Sequence, residues 1–221
     1  MNAIPSRRRA LRLVLALAGV IVVSGCTSIV SRPAPVKATF LLDPPLPEAL
    51  GTPAKPLVLR VGAINVAAPF RGKNLVYRRS ELGYESDYYD EFFVPPSTML
   101  ADGIAKGLAA ARVFERVVPS GASGHEGDLL LEGFVSELYG DARGASQAAV
   151  LRVTFYLSSL QALGSAPLWS RDYAQRVSVD GGSADALAQA LNRAVGGVLR
   201  ELARDLAAAD LTAITPRQAP R

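Results

Sequence analysis

The order of elements legible in the sequence predicts an α+β fold, with a mostly antiparallel sheet and two helices packed on one of its faces. Three observations carry that expectation. Apolar residues alternate with polar ones in Leu57-Val58-Leu59-Arg60-Val61 and again from Leu151 to Ser158, the period of a half-buried strand. Two segments, 97–111 and 184–206, instead repeat their apolar residues every three to four positions, the period of an amphipathic helix. Finally, three long strand-like stretches near the C-terminal half are separated by Gly and Pro signals, as in an antiparallel meander.

Ala38-Thr39-Phe40-Leu41-Leu42 is long enough for a first strand joining the sheet, and Leu57 to Val66 forms the second. Leu75 to Arg78 and Gly83 to Tyr89 are short, aromatic-rich and separated by polar residues, which predicts a hairpin or edge strands. Pro95-Pro96 then opens a helix with its stripe at Leu100, Ile104, Leu108 and Ala111, because a proline in the first turn gives up an N–H that has no helical partner there. Phe114 to Val118 is a short strand, and Ser120 to Gly127 a glycine-rich loop. The meander consists of Asp128 to Tyr139, Gln147 to Leu160 and Leu168 to Val179. Ser183 caps a last helix whose stripe is Leu187, Leu191, Val195, Val198, Leu202 and Leu206. Gly196-Gly197 weakens that helix by about 1 kcal/mol per glycine relative to alanine, which implies close approach to the sheet or a bend.

With 221 residues, 49% of them hydrophobic, the chain can bury a core without staples. One Cys and one His exclude a disulfide framework and a Cys₄ or Cys₂His₂ metal centre. The formal charge of +4 is unevenly placed: Arg7, Arg8, Arg9 and Arg12 precede any acid, and the 196 residues after position 25 carry 20 basic and 20 acidic side chains. Those arginines are followed by an apolar run, Leu13 to Val23, whose eleven residues would rise only about 16 Å as a helix, about half a bilayer core. A basic stretch, a short apolar run and small residues before a cut describe a secretory signal peptide at 1–25.

Val23-Ser24-Gly25-Cys26 resembles the bacterial lipobox, in which the Cys becomes the first residue and carries acyl chains. Each buried CH₂ contributes about 0.8 kcal/mol, so two or three chains hold a protein on a membrane essentially permanently. The position after Cys26 is Thr27; the sorting rule for enteric lipoproteins, in which Asp there retains the protein at the inner membrane, therefore implies an outer-membrane, periplasm-facing location. The early arginines would be cleaved away, which removes support for nucleic-acid binding. Residues 26–37 are then a lipidated tether, 38–212 the folded domain with a proline-rich segment at 43–56, and 213–221 a flexible tail. Prolines 33, 35, 44, 45, 47, 53 and 56 keep this leader extended.

Catalytic signatures are scarce. His125 sits in Gly124-His125-Glu126-Gly127, a poor mount for a triad, and no glycine-rich stretch leads into Lys-Ser/Thr. No cofactor is implied. The most unusual stretch is 81–93, where Glu81, Glu85, Asp87, Asp90 and Glu91 interleave with Tyr84, Tyr88, Tyr89, Phe92 and Phe93. Tyr and Phe are enriched in protein contacts, so Tyr77, Tyr84, Tyr88, Tyr89, Phe92 and Phe93 are the expected contact residues. The alternative is a periplasmic hydrolase or sugar-binding lipoprotein using Glu85, Asp87 or Glu91.

Val66-Ala67-Ala68-Pro69-Phe70, Asn74-Leu75-Val76-Tyr77-Arg78, Tyr84-Glu85-Ser86-Asp87-Tyr88-Tyr89, Phe92-Phe93-Val94-Pro95-Pro96 and Met99-Leu100 together resemble the ABC-type transport auxiliary lipoproteins of the PqiC type. Phe40-Leu41-Leu42 stands where that family has its first Tyr/Phe-x-Leu strand. The resemblance implies a non-enzymatic component of a lipid-transport system, partnered by an MCE-domain protein and an inner-membrane ABC permease and ATPase. It also implies lipidation at Cys26 and assembly of several copies, with a ring as one arrangement. No catalytic residue is carried over.

Overall fold

The computed structural model of the protein describes residues 36–122, 127–162, 166–212 and 214. The expected signal peptide 1–25, Cys26, His125 and nearly all of the expected tail 213–221 lie outside the described residues. In chain order the elements are β1 (Ala38–Phe40), β2 (Lys55–Val66), β3 (Asn74–Arg78), β4 (Tyr84–Phe92), α1 (Pro96–Ala111), β5 (Phe114–Val118), β6 (Leu129–Asp141), β7 (Ala148–Ser159), β8 (Trp169–Ser178) and α2 (Ala184–Ala208). The fold is α+β, as the sequence predicts.

The eight strands form one mixed sheet. Its longest ladders, β6 with β7 and β7 with β8, are antiparallel and make the expected meander. The β3–β4 hairpin is antiparallel too. Parallel pairing joins β2 to β5 and β6, β1 to β4, and β3 to the end of β6. The sheet forks at β6. One edge of β6 is paired along its length with β7, whereas the other is shared, with β2 on Leu129–Val135 and β3 on Gly140–Asp141. A short 3-10 turn, Ala68–Phe70, fills the fork, and Phe70 there stacks on Tyr139 at 5.6 Å between ring centres.

Strand alternation decides which side faces the helices. On β7, Leu151, Val153, Phe155 and Leu157 are buried while Arg152 and Tyr156 are exposed, as the period of two requires. The α2 stripe from Leu187 to Leu206 is buried throughout, and the helix starts where Ser183 Oγ accepts the Ala186 N–H at 3.1 Å. Burial of a Leu or Val side chain contributes about 1.5–3 kcal/mol, so this face is the main source of stability.

The proline-rich segment is more than a spacer. Leu42, Pro44 and Pro47 are buried, and the Pro44-Pro45 pair lies over both helices. A Cβ on Gly196 would stand 2.6 Å from Pro45 Cγ, and one on Gly103 would stand 3.3 Å from Pro44 Cγ. Gly197 meets Gln175 of β8 in the same way. The glycine pair therefore permits close approach on two sides, and α2 runs through it unbroken. Asn192 fastens the segment further by donating from Nδ2 to the Leu41 carbonyl at 3.0 Å.

Candidate functional site

The β3–β4 hairpin is irregular, and its irregularity shapes the site. Asn74 faces Glu91 and Val76 faces Ser86, so a step of two residues on β3 is matched by five on β4. The extra residues form a bulge at 87–90. Asp87 pins it, its Oδ1 accepting the N–H groups of Tyr89 at 2.9 Å and Asp90 at 3.1 Å. A side-chain oxygen that accepts from its own neighbouring backbone competes with the ladder, which is how a short Asp creates such a turn.

The bulge changes which side chains share a face. In a regular strand residues 87 and 90 would point to opposite sides; here both line one cleft of about 490 Å³ between the hairpin and the start of α2. Phe40, Tyr77, Arg79 and Gln147 contribute to its walls, and the turn Gly182-Ser183-Ala184-Asp185 closes the far side. Burial, and then Asp87, raise the pKa of Asp90, while burial followed by Asp87 and Asp90 pushes the Tyr77 phenol up to about 12. The cleft is electronegative.

The other hairpin acids are paired. Glu81 bridges to Arg78 at 3.0 Å and Arg143 at 2.8 Å, Glu85 to Arg79 at 2.6 Å, and Glu91 to Lys73 at 3.1 Å and Lys37 at 3.4 Å. Of the three acids expected to run a hydrolase, only Asp87 lines the cleft. The structure thus separates Glu85 and Glu91 from Asp87 and substitutes Asp90, Gln147 and Asp185 as its neighbours. Sequence spacing could not show this, because an Asp-x-x-Asp pair shares a face only once the bulge is known.

The expected contact residues also divide. Tyr77 and Phe92 are 7% and 3% exposed and belong to the core, which corrects the expectation that they present a surface. Their positions follow from the pleat: Leu75 and Tyr77 are the inward residues of β3, and Phe92 is the last, inward residue of β4. Tyr84 is partly committed to the fork, edge-on to Phe70 at 6.0 Å and to Tyr139 at 5.6 Å. Tyr88, Tyr89 and Phe93 remain as an exposed ridge, with Tyr88 71% and Phe93 60% accessible. Lys37 Nζ sits 5.3 Å from the centre of the Tyr88 ring. Since β1 pairs only with Asp90–Phe92, no strand among the described residues covers the outer edge of β4 from Tyr84 to Tyr89.

Among the described residues no group of three or more His, Cys, Asp or Glu could hold a metal ion. No helix among them is long and apolar enough to cross a membrane.

The chain belongs to the family of ABC-type transport auxiliary lipoprotein components, whose model matches residues 40–203. Among solved structures it is similar to a protein from Xanthomonas campestris, at 17% identity and a TM-score of 0.67, over 75% of this chain and 92% of that one. An uncharacterized protein shares 19% identity at a TM-score of 0.61, over 77% and 99%. A weaker likeness, 18% identity and a TM-score of 0.40 over 67% and 91%, is to the PelC dodecamer from Paraburkholderia phytofirmans. No curated protein matches the chain.

Proposed function

We propose that the protein is a non-enzymatic, lipid-anchored docking component of an MCE-type ABC lipid-transport system, placed on the outer membrane and facing the periplasm. Acyl chains on Cys26 hold the domain at the membrane, and the ridge of Tyr88, Tyr89 and Phe93 meets the MCE-domain partner. Several copies assemble around that partner, and the inner-membrane permease and ATPase supply the energy. The observation that carries this reading is the ridge itself: large aromatic side chains left exposed beside a strand edge that no strand among the described residues covers, in a chain of the auxiliary family.

The anchor is tested by Cys26→Ala followed by fractionation of the envelope. The variant is expected in the soluble periplasmic fraction, while the unaltered chain sediments with outer membranes. Continued sedimentation of the variant would overturn the lipid attachment.

A further inference from the structure

The cleft beside the bulge contains polar groups whose hydrogen-bonding capacity the fold does not use. Asp87 spends one carboxylate oxygen on the bulge, and neither Asp87 nor Asp90 meets a basic group within ion-pair distance among the described residues. Tyr77 is only 7% exposed, yet its hydroxyl makes no hydrogen bond among the described residues. The hydroxyl is not sealed in the core: it reaches solvent where Tyr77 lines the cleft. Tyr77 lines the same cleft as Asp87 and Asp90.

The balance of charge selects the kind of ligand. Asp87, Asp90 and Asp185 line the cleft against one guanidinium, that of Arg79. Arg79 is already engaged, by Glu85 at 2.6 Å and by the face of the Tyr77 ring at 5.0 Å. Asp185 is tied to its own helix, its Oδ2 accepting from Gln189 Nε2 at 2.7 Å. The remaining acceptors are the carboxylates of Asp87 and Asp90, the Tyr77 phenol oxygen and the Gln147 amide oxygen, arranged around a space open to solvent. A compact ammonium with three N–H donors matches three such acceptors, whereas a guanidinium fork suits a single carboxylate presented edge-on.

We infer that the cleft between the β4 bulge and the first turn of α2 is a binding site for a primary ammonium group, supplied by a lysine side chain of a protein partner. The ammonium recognition stands on the cleft alone; the source of the ammonium rests on the docking reading. Two observations favour a lysine over a lipid amine headgroup. Among the described residues, the one cation lining the cleft that would meet a headgroup phosphate is held by Glu85, and no strand covers the edge next to the bulge, as a docking peptide requires.

The test is an NMR titration of the full chain in maltoside micelles with Nα-acetyl-lysine methylamide. Saturable shifts are expected at Tyr77, Asp87, Asp90 and Asp185, with none from the Nε-acetylated compound. Asp90→Asn, which breaks no hydrogen bond made by that carboxylate to the fold, should weaken binding about tenfold. Tyr77→Phe should weaken it several-fold with the spectrum otherwise preserved. Absence of saturation, equal shifts from the Nε-acetylated compound, or undiminished binding by Asp90→Asn would each overturn the site. Tighter binding of glycerophosphoethanolamine than of the lysine probe would overturn the assignment to a lysine. Failure of partner co-purification with an intact titration would instead strike only the docking reading.

Discussion

The side-chain amide of Asn74 donates to the main-chain carbonyl of Asp87 at 2.5 Å, tying β3 to the bulge of β4 where the ladder between them is interrupted. The bulge is therefore held from both sides, by Asn74 across the hairpin and by the Asp87 carboxylate within it. Removing one hydrogen bond of this kind costs about 1 kcal/mol. Asn74→Ala should lower stability by that amount and speed amide exchange at Tyr89 and Asp90, leaving α1 and α2 protected. Uniform acceleration across the domain would mean that the bulge has no local clamp.

Gly196 lies under Pro45, so close that a methyl group added to it would stand 2.6 Å from Pro45 Cγ and 3.1 Å from the Pro45 carbonyl oxygen. Alanine is the better helix former by about 1 kcal/mol, so propensity alone predicts a gain. A rigid ring and a backbone oxygen cannot yield cheaply, and overpacking of this sort costs about 1–3 kcal/mol. Gly196→Ala should lower the melting temperature. An unchanged or higher value would show that the proline segment is not seated on α2.

Asp141 is buried and accepts from two guanidinium groups, Arg143 and Arg176, each at 2.9 Å. The hydrogen bonds from Arg143, opposed by burial and aided by Arg176, hold its pKa well below the usual carboxylate range. A depressed folded-state pKa stabilises the fold above the unfolded value near 4, and that contribution is lost as the pH falls through the folded value. Asp141→Asn should cost about 2 kcal/mol at pH 7 by denaturant titration, and its deficit relative to the unaltered protein should shrink between about pH 5 and pH 2. A deficit that stays constant over that range would contradict the pairing.

The sequence shows the elements better than their partners. The alternation on Leu151 to Ser158 and the stripe from Leu187 to Leu206 mark their own secondary structure, because burial repeats along each element. Pairing is different: nothing local tells β2 that it lies between β5 and β6, or β6 that its second edge is divided. The site was legible as a region and not as a geometry. Residues 81–93 stand out by composition, yet the burial of Tyr77 and Phe92 and the convergence of Asp87 with Asp90 depend on pleat direction and on a bulge fixed by Asn74, a residue thirteen positions away. The seating of Pro44-Pro45 on Gly103 and Gly196 is likewise a contact between distant segments, and proline composition alone suggests only an extended tether.

The docking role is tested most directly by co-purification of the lipidated chain from envelope membranes, comparing it with a Tyr88→Ala, Phe93→Ala double variant. Both side chains are exposed, so the variant should keep the circular dichroism spectrum and melting temperature of the unaltered protein. The account predicts that the unaltered chain brings down the MCE-domain protein and that the variant loses at least about tenfold of it, as expected when aromatic contact anchors are truncated. Equal recovery by the folded variant, or no MCE-domain protein with either chain, would contradict it.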